Sequence, residues 1–157
     1  MVNGTVADTP PCPLADSPGL MGRPSDVPTV HIDHVGVATD DATGLAETYV
    51  ELLDCEIAHE ETFDGLAVLF LAFENGYLEL LEPVDEDGTI ARYLDREGPG
   101  IHHVALATED ATAALERARA HGIELIDEEP RPGAWGHDVA FLHPRDTGGV
   151  LLEFVEH

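Results

Sequence analysis

From His31 onward the chain switches repeatedly between two kinds of apolar spacing. His31–Thr39 is apolar and β-branched and runs into Asp40-Asp41, the pattern of a strand that hands over to a helix N-cap. Ala42, Leu45, Ala46, Tyr49, Val50 and Leu53 then recur at helical spacing. Cys55–Glu61, Leu66–Phe73 and Tyr77–Glu82 read as strands, with Asp64-Gly65 and Asn75-Gly76 as hairpin turns between them. Thr89–Arg96 predicts a short helix. The pattern then restarts: a strand over Gly100–Thr108, a helix over Asp110–His121 stopped by Gly122, and strands near Leu125–Glu128, His137–Leu142 and Val150–Val155.

The element order is thus βαβββ twice, and the residues themselves repeat. Ile32–Glu47 laid on Ile101–Glu116, an offset of 69, matches at 9 of 16 positions. The last strands match at an offset of 74, through Leu78/Leu152, Glu79/Glu153 and Glu82/Glu156. The predicted fold class is α+β, with two paired βαβββ modules forming a curved, partly open mixed sheet. Residues 1–29, rich in Pro, Gly, Asp and Ser, predict a disordered acidic tail. Residues 30–157 predict one domain: module one over 31–84, a linker helix within 85–99 and module two over 100–157.

Within the repeat, His34 and His103 occupy matching places on the first strands, and Glu79 and Glu153 matching places on the last. Glu153 lies in the run Val150-Leu151-Leu152-Glu153-Phe154-Val155, which suggests a strand covered on both faces. A carboxylate buried there needs a partner. The chain contains no Lys, and no Arg lies near Glu79 or Glu153 in sequence. A divalent cation resolves the difficulty. Strand parity puts Ile32, Gly36 and Ala38 on the face of His34, and Ile101, Ala105 and Ala107 on that of His103. Small residues there leave room for a ligand. Two imidazoles and two carboxylates suit Zn²⁺, Co²⁺, Mn²⁺, Ni²⁺ or Fe²⁺. His102, next to His103, is expected on the opposite face in a structural or supporting role. His31 opens its strand with opposite parity, and His137 and His143 fall near the last loop.

Composition narrows the partners. Asp and Glu number 32 against 7 Lys and Arg, a net charge of −25. Nucleic acid and anionic membrane are poor partners for such a chain, since phosphate binding needs dense positive charge. The absence of Lys excludes a Schiff-base lysine. A cation sink is one reading of the acidity; a solvated surface adapted to high salt, and hence a halophilic source, is the simpler one. The two cysteines, Cys12 and Cys55, cannot build a disulfide framework or a Cys-based zinc site. No apolar run approaches the roughly 20 residues of a membrane span. No basic-then-apolar leader opens the sequence. A cytoplasmic protein is the expectation.

Further segments stand out: Asp33-His-Val-Gly-Val37, Glu79-Leu-Leu-Glu-Pro83, Thr89-Ile-Ala-Arg-Tyr-Leu94, Gly100-Ile-His-His-Val-Ala105, Glu128-Glu-Pro-Arg-Pro-Gly-Ala134, and Phe141-Leu-His-Pro144 followed by Gly148-Gly-Val-Leu-Leu-Glu153. With them the chain resembles the vicinal oxygen chelate (glyoxalase/bleomycin resistance/dioxygenase) superfamily and, within it, the methylmalonyl-CoA epimerase family. The resemblance spans residues 31–156. It implies that His34, Glu79, His103 and Glu153 hold a divalent metal ion. It implies an acyl-CoA substrate, R/S interconversion of methylmalonyl-CoA through its α-proton, and a homodimer. Glu153 is then expected as one acid/base and Glu79 as the other. Glu79 departs from the Gln of many members. Val68 stands where some carry a Glu, so no base carries over there, and Trp135 replaces a small residue or His. Arg92, Arg96, Arg131 and Arg145 are candidates for the CoA phosphates by scarcity of cations. A lactoylglutathione lyase-type isomerase shares the ligand set and the enediolate chemistry. An extradiol dioxygenase fits less well, since it typically needs one carboxylate and Fe²⁺. A non-catalytic binder of the same superfamily usually lacks the ligands.

Overall fold

The computed structural model describes residues 30–157; the tail expected over 1–29 lies outside the described residues. Eight strands and three helices follow one another as β1 (His31–Ala38), α1 (Ala42–Leu53), β2 (Glu56–Phe63), β3 (Leu66–Phe73), β4 (Gly76–Pro83), α2 (Thr89–Glu97), β5 (Gly100–Ala107), α3 (Ala111–Ala120), β6 (Arg131–Pro132), β7 (Asp138–Leu142) and β8 (Leu152–Glu156). The strands form one mixed sheet in the order β2-β3-β4-β1-β5-β8-β7-β6. β1 pairs with β4 and β5 with β8 in parallel, while β1 and β5 pair antiparallel at the centre. Each half is thus the mirror of the other in strand order, as the duplicated sequence predicts.

Helix α1 packs Ala42 and Ala46 against Leu69, Leu71 and Leu80. Helix α3 packs Leu115 and Ala118 against Ala140 and Leu142. The matching Glu82 and Glu156 explain why a carboxylate repeats near the end of each module. Glu82 accepts a hydrogen bond from the Ala42 N–H and Glu156 one from the Ala111 N–H, both 2.8 Å. These are unpaired amides at helix N-termini, where negative charge is favoured. Asp41 and Asp110 complete the two caps, accepting from Gly44 and Ala113 at 2.8 Å.

The two halves differ at their outer edges. The strand expected over Leu125–Glu128 does not form. Leu125 makes one isolated bridge to Leu142, and pairing resumes only at Arg131–Pro132. Between them the Asp127 carboxylate accepts the Phe141 N–H at 2.8 Å, taking the place of a strand carbonyl. Pro130 and Pro132 supply no N–H of their own. A second departure lies in β1. The ladder to β5 shifts between Ile32 and His34, leaving Asp33 as an extra residue. Ile32 is therefore exposed and does not share the buried face of His34.

Candidate metal centre

The central strands bring the four predicted residues together. In the sheet register Gly36 stands between His103 on β5 and Glu79 on β4, and Ala105 between His34 on β1 and Glu153 on β8. Glu79 sits midway along β4, whereas Glu153 is only the second residue of β8. All four side chains are buried. His34 Nε2 lies 3.2 Å from His103 Nε2, 3.4 Å from Glu79 Oε2 and 3.2 Å from Glu153 Oε2. His103 Nε2 lies 3.3 and 3.2 Å from the same two oxygens. His34, His103 and Glu153 form the tighter set, with donor atoms all within 4.8 Å of one another. Glu79 touches both imidazoles from outside that set, so the two carboxylates stand across the imidazole pair from each other.

This arrangement fits a divalent cation. Metal–nitrogen and metal–oxygen bonds of about 2.0–2.2 Å separate neighbouring donor atoms by about 3–3.5 Å, the range found between the two imidazoles and from each imidazole to each carboxylate. Glu153 Oε2 is buried and, although both Nε2 atoms lie 3.2 Å away, it accepts no well-aligned hydrogen bond, which leaves an acceptor that a cation would satisfy. The protonation equilibria point the same way. Burial alone would depress His34, but its hydrogen bond to Asp33 and the nearby Glu153 and Glu79 carboxylates outweigh it and raise the ring to about 11. Burial likewise opposes charge on His103, and Glu153 and Glu79 overcome it, raising it to about 9. Against its own burial, Glu79 is drawn down to about 2 by His103 and His34. Glu153 is also lowered, by the same two rings acting against burial. The cluster demands positive charge at its centre, which protons or a metal can provide.

The small residues flanking the histidines have a more specific use than room for a ligand. A Cβ at Gly36 would stand 2.1 Å from His103 Cε1 and 2.4 Å from its Nδ1, so the ring lies flat across the glycine. Gly36→Ala is therefore expected to destabilise the fold by about 1–3 kcal/mol and to weaken divalent-cation binding by displacing His103. Chemical denaturation and a Co²⁺ titration read both effects. Wild-type values in both would show that the ring has space to move.

Two cavities of about 280 Å³ each flank the cluster, and Glu79 and Glu153 line both. One is walled by Phe63, Val68, Phe141, His102 and Arg131. The other is walled by Asp33, Tyr77, Trp135, His137 and His157. Val68 is an apolar wall of the first, with no acid at that position. Of the four candidate arginines, only Arg131 lines either of these two cavities, its guanidinium 5.5 Å from the Phe141 ring centre. Arg92 bonds the Asp87 carbonyl, Arg145 pairs with Glu124, and Arg96 lies in the last turn of α2. His31 is exposed and His143 accepts the Arg145 N–H in a turn; neither joins the site.

Some neighbours of the cluster escaped strand parity. His102 does not point away from the cluster: its Nδ1 lies 3.0 Å from His103 Nδ1. Burial, aided by the His103 charge, lowers it to about 4, so it is neutral near pH 7. The shift in the ladder between Gly36 and Val37 leaves it as the extra residue of β5. Trp135, at φ 59°, stacks on His59 with ring centres 4.7 Å apart, and its N–H donates to Glu61. It thereby ties the β6–β7 connection to β2 across the mouth of the sheet.

With this geometry, comparison with known proteins is direct. The family model of the Glyoxalase/Bleomycin resistance protein/Dioxygenase superfamily matches residues 33–141. The ethylmalonyl-CoA/methylmalonyl-CoA epimerase of Cereibacter sphaeroides is 36% identical over 126 residues, covering 78% of this chain and 94% of that protein. A solved methylmalonyl-CoA epimerase in complex with methylmalonyl-CoA and NH₄⁺ superposes with a TM-score of 0.77 at 35% identity, covering 80% of this chain and 92% of the other. The methylmalonyl-CoA epimerase of Mycobacterium tuberculosis gives a TM-score of 0.76 at 38% identity, with 80% and 86% covered. The chain belongs to the glyoxalase/bleomycin resistance protein/dioxygenase superfamily and, within it, to the family of the methylmalonyl-CoA epimerases.

Proposed function

We propose that this protein is a metal-dependent epimerase that interconverts the R and S forms of methylmalonyl-CoA. The observation that carries this reading is the placing of two carboxylates across a pair of imidazoles, with a cavity on each side. The α-hydrogen of a thioester is weakly acidic, and its removal leaves an enolate. A divalent cation held by His34, His103, Glu79 and Glu153 would supply Lewis-acid stabilisation to the enolate oxygen. Glu153 takes the α-proton on one face, breaking the C–H bond. Glu79, protonated from water once substrate is in place, gives that proton to the same carbon on the other face; exchange of both carboxyl groups with water then resets the pair, and the reverse reaction exchanges their roles. Walls such as Val68, Phe63 and Phe141 exclude water from the carbanion. Arg131 is the cation best placed toward an anionic substrate. The cation is one of Co²⁺, Zn²⁺, Mn²⁺, Ni²⁺ or Fe²⁺, and the acidic surface suits a salt-rich cytoplasm. No helix among the described residues is long and apolar enough to cross a membrane.

The test is deuterium uptake at the α-carbon of methylmalonyl-CoA in D₂O at high salt, with Co²⁺ and with chelator. Metal-dependent exchange with loss of optical purity is expected. No exchange by folded, metal-loaded protein would overturn the reading and turn attention to hemithioacetals of small thiols, the substrates of the lactoylglutathione lyase type.

A further inference from the structure

The residue before each of the paired histidines is itself duplicated in position but not in chemistry. At the offset of 69 it is Asp33 in the first half and His102 in the second. In a regular strand both would point away from the histidine they precede. Instead each is the extra residue of a bulge in the β1–β5 ladder, and each reaches the Nδ1 of the following ring. Asp33 Oδ1 lies 2.8 Å from His34 Nδ1. Its second oxygen lies 2.6 Å from Nε2 of His157. His157 follows β8, which is separated from β1 by the whole of β5. Asp33 is 7% exposed, so its carboxylate is held on both oxygens with almost no access to water. The His157 side chain is about half exposed and packs edge-on against His137, with ring centres 4.2 Å apart.

We propose that Asp33, clasped by His157, is a positioning residue that locks the His34 ring with Nδ1–H outward and Nε2 toward the centre, making His34 the anchoring ligand of the pair. The inference rests on the metal-dependent reading above. A ring whose Nδ1–H donates to a carboxylate keeps one tautomer and one orientation, and its Nε2 becomes a stronger donor to a metal. His103 has an imidazole rather than a carboxylate in the equivalent place, so the two histidines are unequal ligands in an otherwise symmetric centre. His157 prevents the Asp33 carboxylate from rotating away, because turning it would leave two hydrogen bonds unmade in a buried site.

Co²⁺ affinity by chelator competition, together with the visible absorption of the bound ion, tests this on the full chain. Asp33→Ala is expected to weaken binding about 10–100-fold and to change the Co²⁺ spectrum. Asp33→Asn keeps an acceptor for Nδ1–H and is expected to recover part of the loss. His157→Ala, at a half-exposed position, is expected to weaken binding about 2–10-fold with a Tm near that of wild type. The spectral change and the partial rescue by Asn separate positioning from simple loss of fold. Affinities within twofold of wild type in Asp33→Asn and His157→Ala, with unchanged spectra, would overturn the proposal, even where Asp33→Ala does not fold. Failure of the wild type itself to bind Co²⁺ would overturn the metal reading and this inference with it.

Discussion

Glu153→Gln is expected to lower kcat for epimerisation about 10³–10⁴-fold, near the upper end of what a general acid/base contributes, while the protein still binds a divalent cation. Gln keeps a carbonyl oxygen that can face the centre but cannot accept the α-proton. Glu79→Gln makes a sharper comparison. If Glu79 served only as a ligand, Gln would substitute with little loss, since a neutral oxygen donor is preserved. If Glu79 is the second acid/base, Glu79→Gln abolishes interconversion while Glu153 continues to remove and return a proton on its own face. One stereoisomer then washes deuterium into the α-position without changing configuration, and the other is inert. The assay is NMR of each pure stereoisomer in D₂O, with optical purity measured alongside. Retained epimerisation in Glu79→Gln would reduce Glu79 to a ligand. Near-normal turnover in Glu153→Gln would remove Glu153 from the chemistry altogether.

The four central residues were legible because duplication does the work of a comparison. His34 and His103 recur at one offset and Glu79 and Glu153 at another, so each member vouches for its counterpart where a single buried His or Glu would carry little. The same repetition marked Glu82 and Glu156 as equivalent, but not as caps for α1 and α3, because capping depends on where the helix end arrives in space. Parity failed at His102, and does not hold at Asp33 either, for a definite reason. The alternation of faces assumes an unbroken pleat, and a bulge adds one residue that turns toward its neighbour's side. Nothing in the local composition announces such a bulge, since its position is set by the pairing of β1 with β5. The missing edge strand near Leu125 has a similar origin. The segment has strand-like residues, but the Asp127 side chain occupies the hydrogen bond that a strand would have used. Trp135 was visible as an oddity; its left-handed backbone and its stacking on His59 depend on contacts 76 residues apart in the chain.

On the metal-dependent reading, chelation should do more than stop the reaction: it should give the protein an inverted response to alkaline pH. In the metal-free state the centre is held by proton-mediated contacts between imidazolium and carboxylate. His34 and His103 have folded-state values raised to about 11 and about 9 from the usual 6.5. A raised value contributes stability that is fully present below about 6.5 and is lost as pH rises through the folded values. Glu79, lowered to about 2 from 4.5, contributes in the opposite sense: fully above about 4.5, and lost as pH falls toward 2. The metal-free centre is therefore most stabilising between about pH 4.5 and 6.5, and Tm should fall by several degrees between pH 7 and 10. A bound cation reverses this trend, because it requires neutral imidazoles and gains on protons as pH rises. At a metal concentration about a thousand times its Kd, mass action adds about 4 kcal/mol, or about 10 °C or more in Tm for a domain of this size. Differential scanning fluorimetry across pH, with chelator and with Co²⁺, should show two curves that diverge above pH 7. Parallel curves would mean that the cation does not compete with protons at His34 and His103, and the assignment of those residues as ligands would fall.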